Sequence, residues 1–405
     1  RDFSVKELPH VKVMRRFQAW DELPVLPEGR IGIYVGSHTH FSEKQNRAID
    51  RFCATYDAVV ICDHTSGYYG KLLPTLVQLQ SDITSPFPPL DLMVHIGEIS
   101  AASFNDTIPA KEVWRVSEDG ELRDPFKKLT TVFQMSEEMF FLHYGKDGCN
   151  RHVLIDECRE LFGEIYEQIP ELPFCNIWTA MQLSSRLPKG ALFHMGVSNT
   201  RRCWNMFQLP ESVESACNVG CCGIDGCVST LVGASLVNPD RLCYVVVGDL
   251  TFFYDLNSLG NHHIGTNLRV MLVNNGRGTE FRLGIHHCNV FGDDADKYMA
   301  AAGHFGNKSP LLVKHYAEDL GFHYLSATTK EEFMTALSNF TNPQLSDHSM
   351  ILEVFTDSKD ESEALYLMSH IQSDAKGMVR SKLKDAVRNV AGEKGINAIK
   401  KILKK

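Results

Sequence analysis

The sequence predicts an α/β protein built from two open, mostly parallel sheets. Three observations predict it. Short β-branched runs alternate with helical segments along most of the chain, the pattern of βαβ units. The runs end in Gly, Asp, Asn or His, as strands do where a sheet faces a ligand crevice. With 405 residues, 43% hydrophobic and 22% charged, the chain has material for two or three domains and an ample core.

Other bulk properties narrow the class. The net charge of −9 argues against nucleic acid as a partner. No run is long and apolar enough to span a membrane, and the start, at Arg1, is not signal-like. The 12 cysteines include no Cys-x-x-Cys pair. Cys217, Cys221, Cys222 and Cys227 cluster, but at no standard zinc spacing and with no His among them. They read as reduced thiols filling apolar space in a cytoplasmic protein.

Taken in order, residues 1–25 form a lead-in segment that ends in Pro and Gly turn residues. A central α/β domain follows over 26–165. Its strands are Ile31-Gly-Ile-Tyr-Val-Gly, Ala58-Val-Val-Ile-Cys-Asp, Leu92-Met-Val-His-Ile-Gly and Glu112-Val-Trp-Arg-Val, with a helix from Ser42 to Tyr56. His38, His40, Asp63 and His64 sit after strand ends and read as hydrogen-bonded loop residues. Residues 166–188 form a linker whose prolines surround a helix from Ile177 to Arg186.

A second α/β domain occupies 189–372. Its strands are Ala191-Leu-Phe-His-Met, a stretch near Cys217, Leu242 to Val247, Leu268 to Val273, Phe322-His-Tyr-Leu and Ser349-Met-Ile-Leu-Glu-Val-Phe, with a helix from Lys308 to Leu320. Residues 373–405 form a basic helical tail. Val379, Leu383, Val387 and Val390 recur at helical spacing there. A membrane-surface helix and a solvated helix packed on its own protein compete for this tail. Gly392, Gly395 and the lack of aromatic residues favour the second.

The chain is organised around Gly248-Asp249-Leu250 and Asn274-Asn275-Gly276. Each follows a β-branched run, with a helical segment between, so both lie at the carboxyl ends of parallel strands. Asp249 offers a carboxylate there and Asn275 an amide oxygen. Magnesium takes oxygen ligands in octahedral geometry and shares them with substrate phosphates. Gly248, Gly276 and Gly278 let backbone approach a diphosphate closely. The bland alternative is a turn pair with capping Asp and Asn.

This layout resembles the signature of thiamine diphosphate enzymes, Gly-Asp at one strand end and Asn-Asn at the next. Gly196-Val-Ser198 with Arg202, Gly223-Ile-Asp-Gly-Cys-Val-Ser-Thr and Val247-Gly-Asp-Leu-Thr-Phe-Phe narrow it. They resemble the cofactor domain of 2-succinyl-5-enolpyruvyl-6-hydroxy-3-cyclohexene-1-carboxylate synthase, a carboligase of menaquinone synthesis. Asp91-Leu-Met-Val-His-Ile-Gly and Arg123-Asp-Pro resemble its central domain. The resemblance covers roughly 10–370 and is strongest over 190–285.

The resemblance implies a magnesium site of Asp249, Asn275 and the backbone carbonyl of Arg277. It implies a diphosphate lining of Ser198, Leu250, Thr251, Gly278 and Thr279, with Gly223 and Gly248 also among the cofactor-binding residues. Ile224 would be the apolar residue under the thiazolium, and Arg202, Glu280 and Phe281 would meet substrate. The implied activity is decarboxylation of a 2-oxo acid, with carboligation to an acceptor, carried by thiamine diphosphate and Mg2+. A simple 2-oxo acid decarboxylase, an acetolactate synthase-like enzyme and a non-catalytic scaffold are the alternatives.

The chain departs from the family pattern where Val219 replaces an Arg, where Glu280 replaces an apolar residue, and across Gly97 to Ser103, which lacks a basic pair. Lost positive charge and added negative charge disfavour a dicarboxylic acceptor. A different substrate from the menaquinone enzyme is therefore expected. The family's pyrimidine-binding domain, with its activating Glu, has no counterpart here. The same full-length chain or a separate subunit would supply it, so this chain alone is expected to be inactive. A homodimer or tetramer is implied.

Overall fold

A computed structural model describes residues 13–68, 87–98, 108–220, 223–283, 286–299, 306 and 308–371. The basic tail, Ser103, Cys221 and Cys222 lie outside the described residues.

The first sheet contains β1 (Arg15–Gln18), β2 (Ile31–Val35), β3 (Val59–Cys62), β4 (Leu90–Ile96), β5 (Ala110–Ser117) and β6 (Leu129–Gln134). Its order is β1-β6-β5-β4-β2-β3, and every pairing is parallel. β2 and β3 are buried along their whole length, which is why they read as continuous apolar runs. β1 and β6 were not legible as strands. β1 is a half-exposed edge whose one apolar residue, Phe17, stacks on Phe133 at 5.5 Å between ring centres. Helix α1 (Glu43–Tyr56) starts at Ser42, whose side chain and that of Gln45 cap each other's backbone N–H. Helices α2 (Glu137–Tyr144) and α3 (Val153–Glu167) complete this layer.

The segment between the sheets is packed, not loose. Helix α4 (Asn176–Leu183) buries Ile177, Ala180 and Leu183 completely. A 3-10 turn at Ser184–Arg186 ends it.

The second sheet carries, in chain order, β7 (Leu192–Met195), α5 (Asn199–Trp204), β8 (Glu214–Cys217), α6 (Cys227–Val237), β9 (Cys243–Gly248), α7 (Asp249–Asp255), β10 (Leu268–Asn274), α8 (Ala295–Tyr298), α9 (Leu312–Asp319), β11 (His323–Ala327), α10 (Lys330–Phe340), β12 (Met350–Phe355) and α11 (Ser358–Ser369). The strand order is β11-β12-β10-β9-β7-β8, again with every pairing parallel. The order reverses between β7 and β9, so the chain leaves their carboxyl ends in opposite directions and opens a crevice there.

One apolar cluster runs through the first sheet, α1 to α5 and one face of the second sheet; another fills the opposite face of the second sheet. A buried polar joint ties the two sheets together beside α5. Asp63, after β3, accepts from Asn205 Nδ2 at 3.2 Å and lies 3.6 Å from Arg201 Nη1. The His64 Nε2 atom lies 2.8 Å from the Phe207 carbonyl. Burial lowers the His64 pKa, so the ring is a neutral hydrogen-bonding group. His38 pairs with Glu137 at 3.1 Å. Among the described residues, no helix is long and apolar enough to cross a membrane.

Candidate functional site

The crevice at the β7/β9 switch point holds a cavity of about 310 Å3. Three strand ends supply most of its wall. After β7, Val197, Ser198, Asn199 and Thr200 line it; after β9, Gly248, Asp249, Leu250 and Thr251; after β10, Asn275 and Arg277 to Phe281. Ile224 lines it, as does Asn176 at the start of α4. The cavity therefore gathers Ser198, Ile224, Gly248, Asp249, Leu250, Thr251, Asn275, Arg277, Gly278, Thr279, Glu280 and Phe281, twelve of the sequence-predicted residues. Gly223 immediately precedes Ile224, and Arg202 stands behind Glu280 in an ion pair.

Register explains the convergence. β9 and β10 pair Val273 with Gly248, so Asp249 and Asn274 leave the sheet side by side. Asp249 is buried and accepts the Leu250 N–H at 2.7 Å. Gly276 has φ +81°, a left-handed turn that a side chain would strain. That turn brings the Arg277 N–H to 3.4 Å from Asn275 Oδ1. Ser198 holds φ +60° without being glycine, and such strained residues gather at ligand sites.

Groups behind the cavity wall fix these ends. Glu353, in the middle of β12, accepts from Asn274 Nδ2 and from the Tyr324 hydroxyl, both at 2.7 Å. Burial raises the Glu353 pKa, against the lowering effect of those two bonds. Glu361 on α11 is buried and accepts from Asn176 N–H and Thr356 Oγ1, both at 2.9 Å. Burial raises its pKa to about 7. Trp204 Nε1 donates to Asn176 Oδ1 at 3.1 Å, which fixes the α4 start against α5. Asn176, Glu353 and Glu361 were not singled out in the sequence. The one signal was a lone acid inside the apolar run of β12; nothing local marks the other two.

Arg202 and Glu280 meet as a fork, Nη1 to Oε2 and Nη2 to Oε1, both at 2.8 Å. Burial alone would lower the Arg202 pKa, but the hydrogen bond and charge of Glu280 outweigh it and raise it. The fork of the guanidinium thus already holds a carboxylate from the chain itself.

The donor set suits a magnesium diphosphate. Asp249, Asn275 and the Arg277 carbonyl are all oxygen donors, the hard ligands magnesium takes. Thr279 Oγ1 is buried and makes no hydrogen bond within the described structure, so it has a donor and an acceptor to give a ligand. A Cβ on Gly248 would meet nothing within 4 Å, so the backbone there borders open space. Among the described residues, no group of three or more His, Cys, Asp or Glu could hold a metal by itself. A metal here would share its ligands with a bound phosphate.

No protein-family model matches the chain. Curated proteins do match. It is 33% identical over 263 residues to the 2-succinyl-5-enolpyruvyl-6-hydroxy-3-cyclohexene-1-carboxylate synthase of Bacteroides fragilis, covering 64% of this chain and 45% of the relative. It is 27% identical over 392 residues to the synthase of that name from Bacteroides thetaiotaomicron, covering 90% of this chain and 66% of the relative. The Phocaeicola vulgatus protein of the same name is 32% identical over 265 residues. The chain is a relative of these synthases. It spans about half the length of the first of them, at 45%.

Proposed function

We propose that this chain forms the metal- and diphosphate-binding part of a thiamine diphosphate-dependent enzyme acting on a 2-oxo acid. The observation that carries the reading is that Asp249 and Asn275, just past the ends of the adjacent strands β9 and β10, line one cavity. The relatives named as 2-succinyl-5-enolpyruvyl-6-hydroxy-3-cyclohexene-1-carboxylate synthases support it.

In this reading Asp249, Asn275 and the Arg277 carbonyl hold Mg2+, and Asp249 supplies the only carboxylate of the three. Ser198, Leu250, Thr251, Gly278 and Thr279 cradle the diphosphate, with Thr279 Oγ1 filling its open valence. Ile224 gives the cofactor ring an apolar support. When bound, thiamine diphosphate supplies the electron sink that lets a 2-oxo acid lose carbon dioxide. The protein's part is to orient that cofactor, to exclude water with Val197, Ile224 and Phe281, and to present Glu280 to the substrate. A pyrimidine-binding domain, from the same polypeptide or a second chain, would complete the site. The substrate differs from that of the menaquinone enzyme, because Glu280 occupies the Arg202 fork that could otherwise hold a substrate carboxylate.

Isothermal titration with thiamine diphosphate and Mg2+ tests the reading. The wild-type chain should take up the cofactor only with the metal present, and Asp249→Ala should lose that uptake. Equal cofactor affinity in the two proteins would sink the assignment.

A further inference from the structure

The geometry points to Glu280 as the specificity-determining residue of this cavity: it cancels Arg202 internally and selects a 2-oxo acid whose far end is uncharged and hydroxylated over one ending in a second carboxylate. The inference deepens the cofactor reading and rests on it for the position of the reacting group. Its own basis is the pair itself.

Glu280 lines the cavity, on the 3-10 turn Thr279–Arg282 that follows β10. Arg202 reaches it from α5, on the far side of the switch point. Two parallel bonds of 2.8 Å join them. The side chains are 12% and 22% exposed, so water screens the pair only weakly. Asn199 Oδ1 lies 3.5 Å from Arg202 Nη1 and steadies the same guanidinium.

A guanidinium fork is the usual partner of a ligand carboxylate. Here the fork already holds one. A second carboxylate arriving from a substrate must displace Glu280, and that leaves the Glu280 charge half-buried without its cation. The displaced charge then repels the anion that displaced it. A hydroxyl group needs no displacement. Each Glu280 oxygen uses one acceptor direction on Arg202 and keeps another for an incoming O–H. The Arg202–Glu280 pair is neutral as a whole and keeps acceptor directions open, which suits a hydroxylated group and gives no net attraction to an ion.

Ligand-observed NMR titration compares two probes, hydroxypyruvate and 2-oxoglutarate, on the wild-type chain, Glu280→Gln and Glu280→Leu. Each titration is run with and without Mg2+ and thiamine diphosphate. The wild type should bind hydroxypyruvate more tightly than 2-oxoglutarate. Either substitution frees Arg202 and should tighten 2-oxoglutarate on the order of 10- to 100-fold, the worth of one or two charge-assisted hydrogen bonds. Adding Arg202→Gln to Glu280→Gln should abolish the gain, which places the anion on Arg202. Thermal melts confirm that each variant folds, and the Leu and Gln variants guard against the failure of one. Unchanged 2-oxoglutarate affinity in both variants, or a wild type that prefers 2-oxoglutarate, overturns the proposal. A chain that takes up no cofactor would instead retire the cofactor reading, while the anion titrations without cofactor would still decide the role of Glu280.

Discussion

Replacing Glu361 by glutamine should flatten the pH dependence of folding stability between about pH 4.5 and 7. The carboxyl is 1% exposed and accepts from Asn176 N–H and Thr356 Oγ1, both at 2.9 Å, with the Asn199 side chain also bonded to it. Burial lifts its pKa from 4.5 to about 7, and Asp360 adds to that, while the bonds from Asn176, Thr356 and Asn199 oppose it. In the unfolded chain the same group loses its proton near the ordinary glutamate value. Between those two values the folded state binds more protons than the unfolded one, so stability falls as pH rises. At about 1.4 kcal/mol per pH unit, the loss across the interval is about 3 kcal/mol. It is fully avoided below the unfolded value and fully incurred above the folded one. The amide oxygen of the Glu361→Gln side chain would still accept both bonds, without a charge to desolvate. Urea denaturation at a series of pH values, followed by tryptophan fluorescence, measures the difference between variant and wild type. Trp204 is a suitable reporter, since its indole bonds to Asn176. His64, His95 and His194, whose pKa values burial depresses, lose stability in the opposite direction as pH falls, but they cancel in the difference. Parallel curves for the two proteins would refute the burial argument.

Two further substitutions test the supports of the site. Asp63→Ala should remove the carboxylate beside the buried Arg201 and the acceptor of Asn205 Nδ2 and Thr65 N–H, and cost about 3–5 kcal/mol, read as a lowered denaturation midpoint; a change within about 0.5 kcal/mol would show that the joint between the sheets does not rest on Asp63. Glu353→Ala should strip the acceptor from Asn274 and Tyr324, cost about 2–4 kcal/mol, and weaken Mg2+-dependent cofactor uptake through the adjacent Asn275. Titration calorimetry on the folded variant checks the second effect, and undiminished uptake would make Glu353 purely structural.

Both sheets, and the two strand ends that frame the cavity, could be read from residue order. Fully buried parallel strands such as β2 and β3 need unbroken apolar runs, and a ligand-facing end needs polar or glycine residues next, so both features are written locally. Gly248-Asp249 and Asn274-Asn275-Gly276 are legible for that reason. β1 escaped because an edge strand buries one face only, and Arg15-Arg-Phe-Gln holds one apolar residue. What each polar residue faces emerged only from the folded chain. Arg202 and Glu280 are 78 residues apart, and Asn176 and Glu361 are 185 apart. Whether an arginine meets a substrate or an internal carboxylate depends on how α5 and the turn after β10 approach each other across the switch point. That approach is set by strand order and helix packing, which involve residues far apart in the chain, and local periodicity carries no information about it.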